Sequence, residues 1–171
     1  MNQRFHRTGV KIDLARLIAE SEKLAWDPET KLFRTQTSIQ NADGDEDYLE
    51  GTGSKPGMTD DKWSNLRSDL RGTWWETFFA GLPWPVYRTR IMIMQPRSCY
   101  SIHSDTSPRL HIALKTRPQA RFLFTTPPEL VHIPADGMVW WVDTRHEHTA
   151  INASLELRWH LLMSMDNTND H

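Results

Sequence analysis

Apolar positions before Pro83 recur at helical spacing, and those after it alternate along the chain. Residues 13–25, DLARLIAESEKLA, place Leu14, Leu17, Ile18, Ser21 and Leu24 on one stripe behind Asp13, a capping residue, which predicts an amphipathic helix. Trp63, Leu66, Leu70, Trp74 and Phe78 form a second apolar face after Asp60 or Asp61, ended by Gly81 and Pro83, and predict a second helix. Between them, residues 35–57 contain NADGDEDYLEGTGSKPG, acidic, glycine-rich and without periodicity. That stretch reads as a surface loop, long enough for a lid or binding loop.

Beyond Pro83 come six short β-prone segments: 86–94, 99–105, 109–116, 120–126, 137–143 and 156–165. Turn residues separate them, among them Pro96, Pro108, Pro118, Pro127–Pro128, Asp136–Gly137 and Asn152. The pattern predicts a mainly β fold, an antiparallel sandwich or barrel with N-terminal helices packed outside. A single domain is expected over residues 1–171, with a helical and loop part at 1–84 and the barrel core at 85–165.

Side chains two apart on a strand share a face. His103 and Asp105 therefore point one way, with Tyr100 and Ile102 opposite. Arg109 and His111 lie opposite Leu110, Ile112 and Leu114, and Arg158 and His160 lie opposite Leu157, Trp159 and Leu161. One wet sheet face would give the same alternation. Wet faces, however, carry mainly Lys, Glu and Thr, whereas these are the residue types that bind metals and carboxylates. A functional interior is the favoured reading.

The formal charge of −2 offers no field for nucleic acid or an anionic membrane. No apolar run reaches the roughly 18 residues that span a bilayer. Cys99 is the sole cysteine, which rules out an intrachain disulfide; with no signal peptide evident at the N-terminus, a reducing, cytoplasmic setting is expected. The 8 tryptophans are expected chiefly in packing.

His103-Ser104-Asp105 offers an imidazole and a carboxylate aimed at one point. A second, distant histidine would complete a 2-His-1-carboxylate set with open coordination positions, the arrangement of non-haem Fe(II) oxygenases. His146 and His148 share parity just after the 137–143 segment, and periodicity does not choose between them. His132 and His160 are weaker candidates, and His6 and His171 sit near the termini. Arg158 adds a rigid fork of donors matched to a carboxylate, unless an internal salt bridge uses it.

Five blocks in order, HSD (103–105), RLHIAL (109–114), DGMVWWVD (136–143), HTAIN (148–152) and RWHLL (158–162), resemble the 2-oxoglutarate/Fe(II) dioxygenases. Within them the likeness is to the aspartyl/asparaginyl β-hydroxylase-like branch, which includes some free-proline hydroxylases. The family pattern sets an Asn four positions past its distal histidine and an Arg ten past it. His148 meets both offsets, through Asn152 and Arg158, and His146 meets neither. The resemblance covers about residues 85–165 and implies a double-stranded β-helix, a cupin-like jelly roll. It implies Fe(II) held by His103, Asp105 and His148, and 2-oxoglutarate held at its distal carboxylate by Arg158. Arg109 and His111 match positions that contact the cosubstrate or the wall of the site.

The implied activity is O2-dependent hydroxylation of an unactivated C–H bond of an amino acid, peptide or protein side chain, with succinate and CO2 as coproducts. The alternative is a non-catalytic cupin-like protein binding a metal or small anion; a third reading is an interaction domain with merely wet strand faces. The expected partner is a small-molecule or peptidyl substrate, with neither nucleic acid nor membrane. Tyr48 and the 42–57 loop, Arg34, Arg90 and the Trp140–Trp141 pair are possible substrate contacts, although solvation or packing explains each of them more simply.

Overall fold

A computed structural model describes residues 4–53 and 55–166, so His171 lies outside the described residues. The N-terminal part contains β1 (Phe5–Lys11), α1 (Leu14–Ala25), β2 (Trp26–Asp27), β3 (Leu32–Phe33), β4 (Gln36–Ser38), β5 (Gln40–Asn41), β6 (Asn65–Leu66) and α2 (Trp74–Ala80). From residue 87 onward the chain is β structure. It forms β7 (Tyr87–Met94), β8 (Ser98–Cys99), β9 (Arg109–Lys115), β10 (Ala120–Thr125) and β11 (Pro128–Val131), then β12 (Met138–Val142), β13 (His148–Asn152) and β14 (Arg158–Ser164).

Two antiparallel sheets make the barrel. The larger runs β1-β12-β9-β14-β7-β4 and the smaller β11-β10-β13-β8. This is the jelly-roll architecture expected of the chain. Alternation along the central strands of the larger sheet separates two environments. Ile91, Ile93, Leu110, Ile112, Leu114, Trp159 and Leu161 point outward into the main core, where Leu17 of α1 and Trp75 and Phe78 of α2 close over them. Arg90, Met92, Arg109, His111, Arg158 and Leu162 point inward and line a cavity. Inside the barrel a smaller cluster, Phe122, Phe124, Val131, Ile133 and Val142, fills the space between the sheets. The greater part of the apolar core thus lies outside the barrel, which leaves its interior free for polar groups.

The α1 helix forms as its stripe predicts. Asp13 accepts a hydrogen bond from the Arg16 amide at 3.0 Å, and Leu17 and Ser21 are fully buried. The second helix is shorter than its apolar spacing suggests. Only Trp74–Ala80 is α-helical, capped by Thr73, while Asp60–Lys62 and Ser68–Leu70 are single 3-10 turns. Asp60 does not cap a helix, because buried arginines draw its carboxylate inward, and Asn65–Leu66 pairs with Gln40–Asn41 instead. Trp63, Leu70, Trp75 and Phe78 are buried all the same.

The N-terminal part also supplies strands. β1 extends the larger sheet along β12, pairing Phe5 with Val142 and Lys11 with Met138 around an irregularity between Arg7 and Lys11. Gly9, at φ 84°, sits in that bulge. β4 closes the opposite edge against β7, so the 35–57 segment begins as sheet and becomes loop only beyond Asn41. The 99–105 segment departs from the expected strand. After Cys99 it is held to β13 by the Tyr100 amide on the Ala150 carbonyl at 3.1 Å and by an isolated bridge, His103 to His148, and Ile102 is 58% exposed. No helix among the described residues is long and apolar enough to cross a membrane.

Candidate metal centre and substrate cavity

The bridge between His103 and His148 sets the centre of the site. The His103 amide donates to the His148 carbonyl at 3.0 Å and the His148 amide donates to the His103 carbonyl at 2.8 Å, so two histidines 45 positions apart become cross-strand neighbours. Asp105 is fixed by its own amide, which donates to the Thr144 carbonyl at 2.8 Å. Each imidazole engages a backbone carbonyl through Nδ1: His103 on Ser101 and His148 on His146, both at 2.8 Å. That contact assigns the proton to Nδ1 and leaves each Nε2 lone pair free to ligate. The two Nε2 atoms stand 3.9 Å from opposite oxygens of Asp105. All three donor atoms lie within 4.8 Å of one another. His146 remains outside, exposed and 3.5 Å from Asp143. His132 and His6 do not join the cluster, and His160 lies deeper in the barrel.

The electrostatics suit a cation. Burial alone would push the Asp105 carboxyl up; the Arg109 charge and hydrogen bond, with the two histidines, outweigh it and hold the pKa at about 2. Burial lowers the His148 pKa and favours the neutral, ligating imidazole. Asp105 therefore presents an anion beside the His148 imidazole at ordinary pH.

Arg109 is committed to carboxylates. Its Nε donates to Asp105 at 3.2 Å and its Nη1 to Asp60 at 2.6 Å. Asp60 also accepts from Ser107 at 3.0 Å and from Arg88 at 2.9 Å. Arg88 in turn donates to the Gly51 and Gly53 carbonyls at 3.0 and 2.7 Å. A continuous polar chain thus ties the acidic loop to Asp105. Sequence spacing carries no sign of it, since Asp60 lies 49 positions from Arg109 and 28 from Arg88.

The cavity beside the triad is about 540 Å³ in volume, with Lys55–Met58 at its rim. Arg158 lines it, 4% exposed, with no carboxylate partner among the described residues; its one polar side-chain contact is Nη2 at 3.3 Å from His160 Nδ1. The salt bridge considered for it is not formed. Burial pulls its pKa down to about 10, opposed by Tyr100. His111 is 3% exposed and neither ring nitrogen has a hydrogen-bond partner. A buried guanidinium and a buried imidazole left unpaired are costly unless a ligand completes them. Three converging donors with an unsatisfied carboxylate receiver nearby fit a metal together with a dicarboxylate. Arg90 also reaches the cavity, whereas Tyr48 lies under the Arg34 guanidinium at 4.1 Å and neither it nor Trp140 nor Trp141 lines the cavity.

A jelly-roll barrel with a His-Asp-His cluster at its mouth defines the class, that of non-haem metal oxygenases. The family model for aspartyl/asparaginyl β-hydroxylase matches residues 61–168, and the chain belongs to that family. It is a 2-oxoglutarate-dependent hydroxylase that uses Fe(II) and O2. No curated protein matches the sequence. Among solved structures, AviO1 from Streptomyces viridochromogenes Tue57 is 17% identical, over 99% of this chain and 93% of that one, at a TM-score of 0.53. A 2OG-Fe(II) oxygenase family oxidoreductase from Burkholderia pseudomallei is 19% identical over 91% and 79%, at 0.52. The viral collagen prolyl hydroxylase of Paramecium Bursaria Chlorella virus-1, in its 2OG complex, is 14% identical over 95% of each chain, at 0.50. At such identities the likeness is one of fold.

Proposed function

We propose that the protein hydroxylates an unactivated C–H bond of an amino acid, peptide or protein side chain, and that 2-oxoglutarate is consumed to succinate and CO2. The observation that carries this reading is the convergence of His103, Asp105 and His148 beside a cavity whose Arg158 has no carboxylate partner. His103 Nε2, His148 Nε2 and Asp105 would hold Fe(II), and Arg158 would pair with the distal carboxylate of 2-oxoglutarate. His111 would contact the cosubstrate as a neutral imidazole, since burial, then the charges of Arg158 and other neighbours, keep its pKa well below the ordinary value. Arg109 acts one step back, orienting Asp105. Held by these residues, Fe(II) would supply the redox chemistry by which O2 and the keto acid oxidise the substrate. The protein's own contribution is to keep His148 neutral, to hold Asp105 charged, and to grip the distal carboxylate of the cosubstrate.

Anaerobic titration of metal-free protein with Fe(II) and then 2-oxoglutarate tests the reading through the visible charge-transfer band. The band is expected in the wild type, absent in His103→Ala and displaced to much higher 2-oxoglutarate concentration in Arg158→Ala. Metal binding without a band would favour a cupin-like binding protein.

A further inference from the structure

The arginine assigned to the cosubstrate is itself held by a histidine. Arg158 and His160 lie two apart on β14 and share its inward face. Arg158 faces Met94 of β7, and His160 sits between Met92 of β7 and Ala113 of β9. Those flanking side chains are apolar and offer the guanidinium no acceptor. The contact of Arg158 Nη2 with His160 Nδ1, at 3.3 Å, is the one side-chain hydrogen bond that Arg158 makes among the described residues.

A guanidinium carries donors only, so the contact has one polarity: Arg158 donates and Nδ1 accepts. His160 is therefore the tautomer with its proton on Nε2. The residue is 1% exposed, and Nε2 is buried with no partner among the described residues. Burial first, then the charge of Arg158, holds its pKa well below the ordinary value and keeps the ring neutral. A buried imidazole with one unsatisfied nitrogen is less favourable than an apolar side chain would be. What it provides in exchange is the Nδ1 lone pair.

Two other arginines of the cavity show what a different partner does. Arg88 is held by Asp60, and Arg109 by Asp60 and Asp105. Those carboxylates orient the guanidiniums and also neutralise them. A carboxylate beside Arg158 would compete with the carboxylate of a ligand, whereas a neutral imidazole orients the group and leaves its charge whole. Ordering a long, flexible side chain before the ligand arrives also spares the ligand that entropic cost.

We infer that His160 is a positioning residue for the cosubstrate: through Nδ1 it fixes the plane of the Arg158 guanidinium and, being uncharged, leaves that group free to pair with the distal carboxylate. The inference rests on the proposed Fe(II) and 2-oxoglutarate site and adds a residue that acts on it only through Arg158.

The test compares 2-oxoglutarate with 2-oxobutyrate, which has the same keto-acid end and lacks the distal carboxylate. Each is titrated anaerobically into the Fe(II) protein while the charge-transfer band is followed. His160→Leu is expected to need about tenfold more 2-oxoglutarate for the half-maximal band, with its response to 2-oxobutyrate and its Fe(II) affinity unchanged. His160→Asn, whose Oδ1 takes the place of Nδ1, is expected to recover most of the 2-oxoglutarate affinity. His160→Asp, nearly identical in shape but charged, is expected to bind 2-oxoglutarate more weakly than His160→Asn and 2-oxobutyrate equally well. Wild-type 2-oxoglutarate affinity in His160→Leu overturns the inference. So does a parallel loss of both acids in that variant, which would make His160 a packing residue. If His160→Leu does not fold, the Asn and Asp variants decide, and equal 2-oxoglutarate affinity in those two overturns the inference. A wild type that forms no band, or that binds the two acids equally, removes the underlying site and this inference with it; that result is distinct because it precedes any substitution.

Discussion

Burial without partners is the most informative property of the individual residues. Arg158, Arg90 and His111 are all almost inaccessible, and none has the partner that a structural role would supply. His111 exposes this in the pH dependence. Burial, first of all, lowers its pKa below the ordinary 6.5, so the unfolded chain binds the proton more readily than the folded one. The contribution to stability is complete above pH 6.5 and is lost as pH falls below it, toward the folded pKa. His160, lowered for the same first reason, acts in the same direction. In metal-free protein, His111→Leu is expected to melt at or above the wild-type temperature at pH 5.5 and to flatten the decline between pH 7 and pH 5. Melting curves at several pH values check this, and a steeper decline in the variant would mean that His111 has a structural partner. Asp105 titrates in a separate window, its stabilisation being lost only from the unfolded value of 3.8 down to about 2.

Elements matter here through what they bring together. The His103–His148 bridge brings two imidazoles side by side through a pair of backbone hydrogen bonds, and the 3-10 turn at Asp60–Lys62 places a buried carboxylate between two arginines. Asp60 is the centre of that network, binding β7 through Arg88 and β9 through Arg109. Removing its charge leaves two buried guanidiniums short of a partner, a change that costs about 3–5 kcal/mol in comparable buried pairs. Asp60→Asn is expected to lower stability on that scale in urea denaturation. It is also expected to weaken metal affinity by about 10- to 100-fold, the usual effect of disturbing a group that orients a ligand. Unchanged metal affinity in a folded Asp60→Asn protein would show that Arg109 holds Asp105 without help.

For the whole molecule, ligand binding and folding are coupled, because the site is assembled from β9, β13, β14 and a loop that meet only in the native barrel. A ligand present at a hundred times its dissociation constant adds about 2.7 kcal/mol to stability. In a chain of this length that raises the melting temperature by about 5–10 °C. Fe(II) with 2-oxoglutarate under anaerobic conditions is expected to produce such a shift, and His103→Ala to abolish the metal-dependent part of it. Equal shifts in both proteins would place the metal elsewhere.

Alternation after Pro83 determined the sheet, because period-two patterning follows from strand geometry alone. The residue types on its polar faces marked a metal site but left His146 and His148 open, and the family resemblance, through the offsets of Asn152 and Arg158, selected His148. The helical stripe of α1 was equally legible, being a local pattern with a local cap. What the chain could not disclose is non-local. The strands β1 and β13 exist through pairing with distant partners, and the second helix was cut short because Asp60 found arginines 28 and 49 positions away. The state of each arginine was decided in the same way. Arg109 is neutralised by two carboxylates while Arg90 and Arg158 are not, and such pairing depends on distances that arise only when the sheet closes.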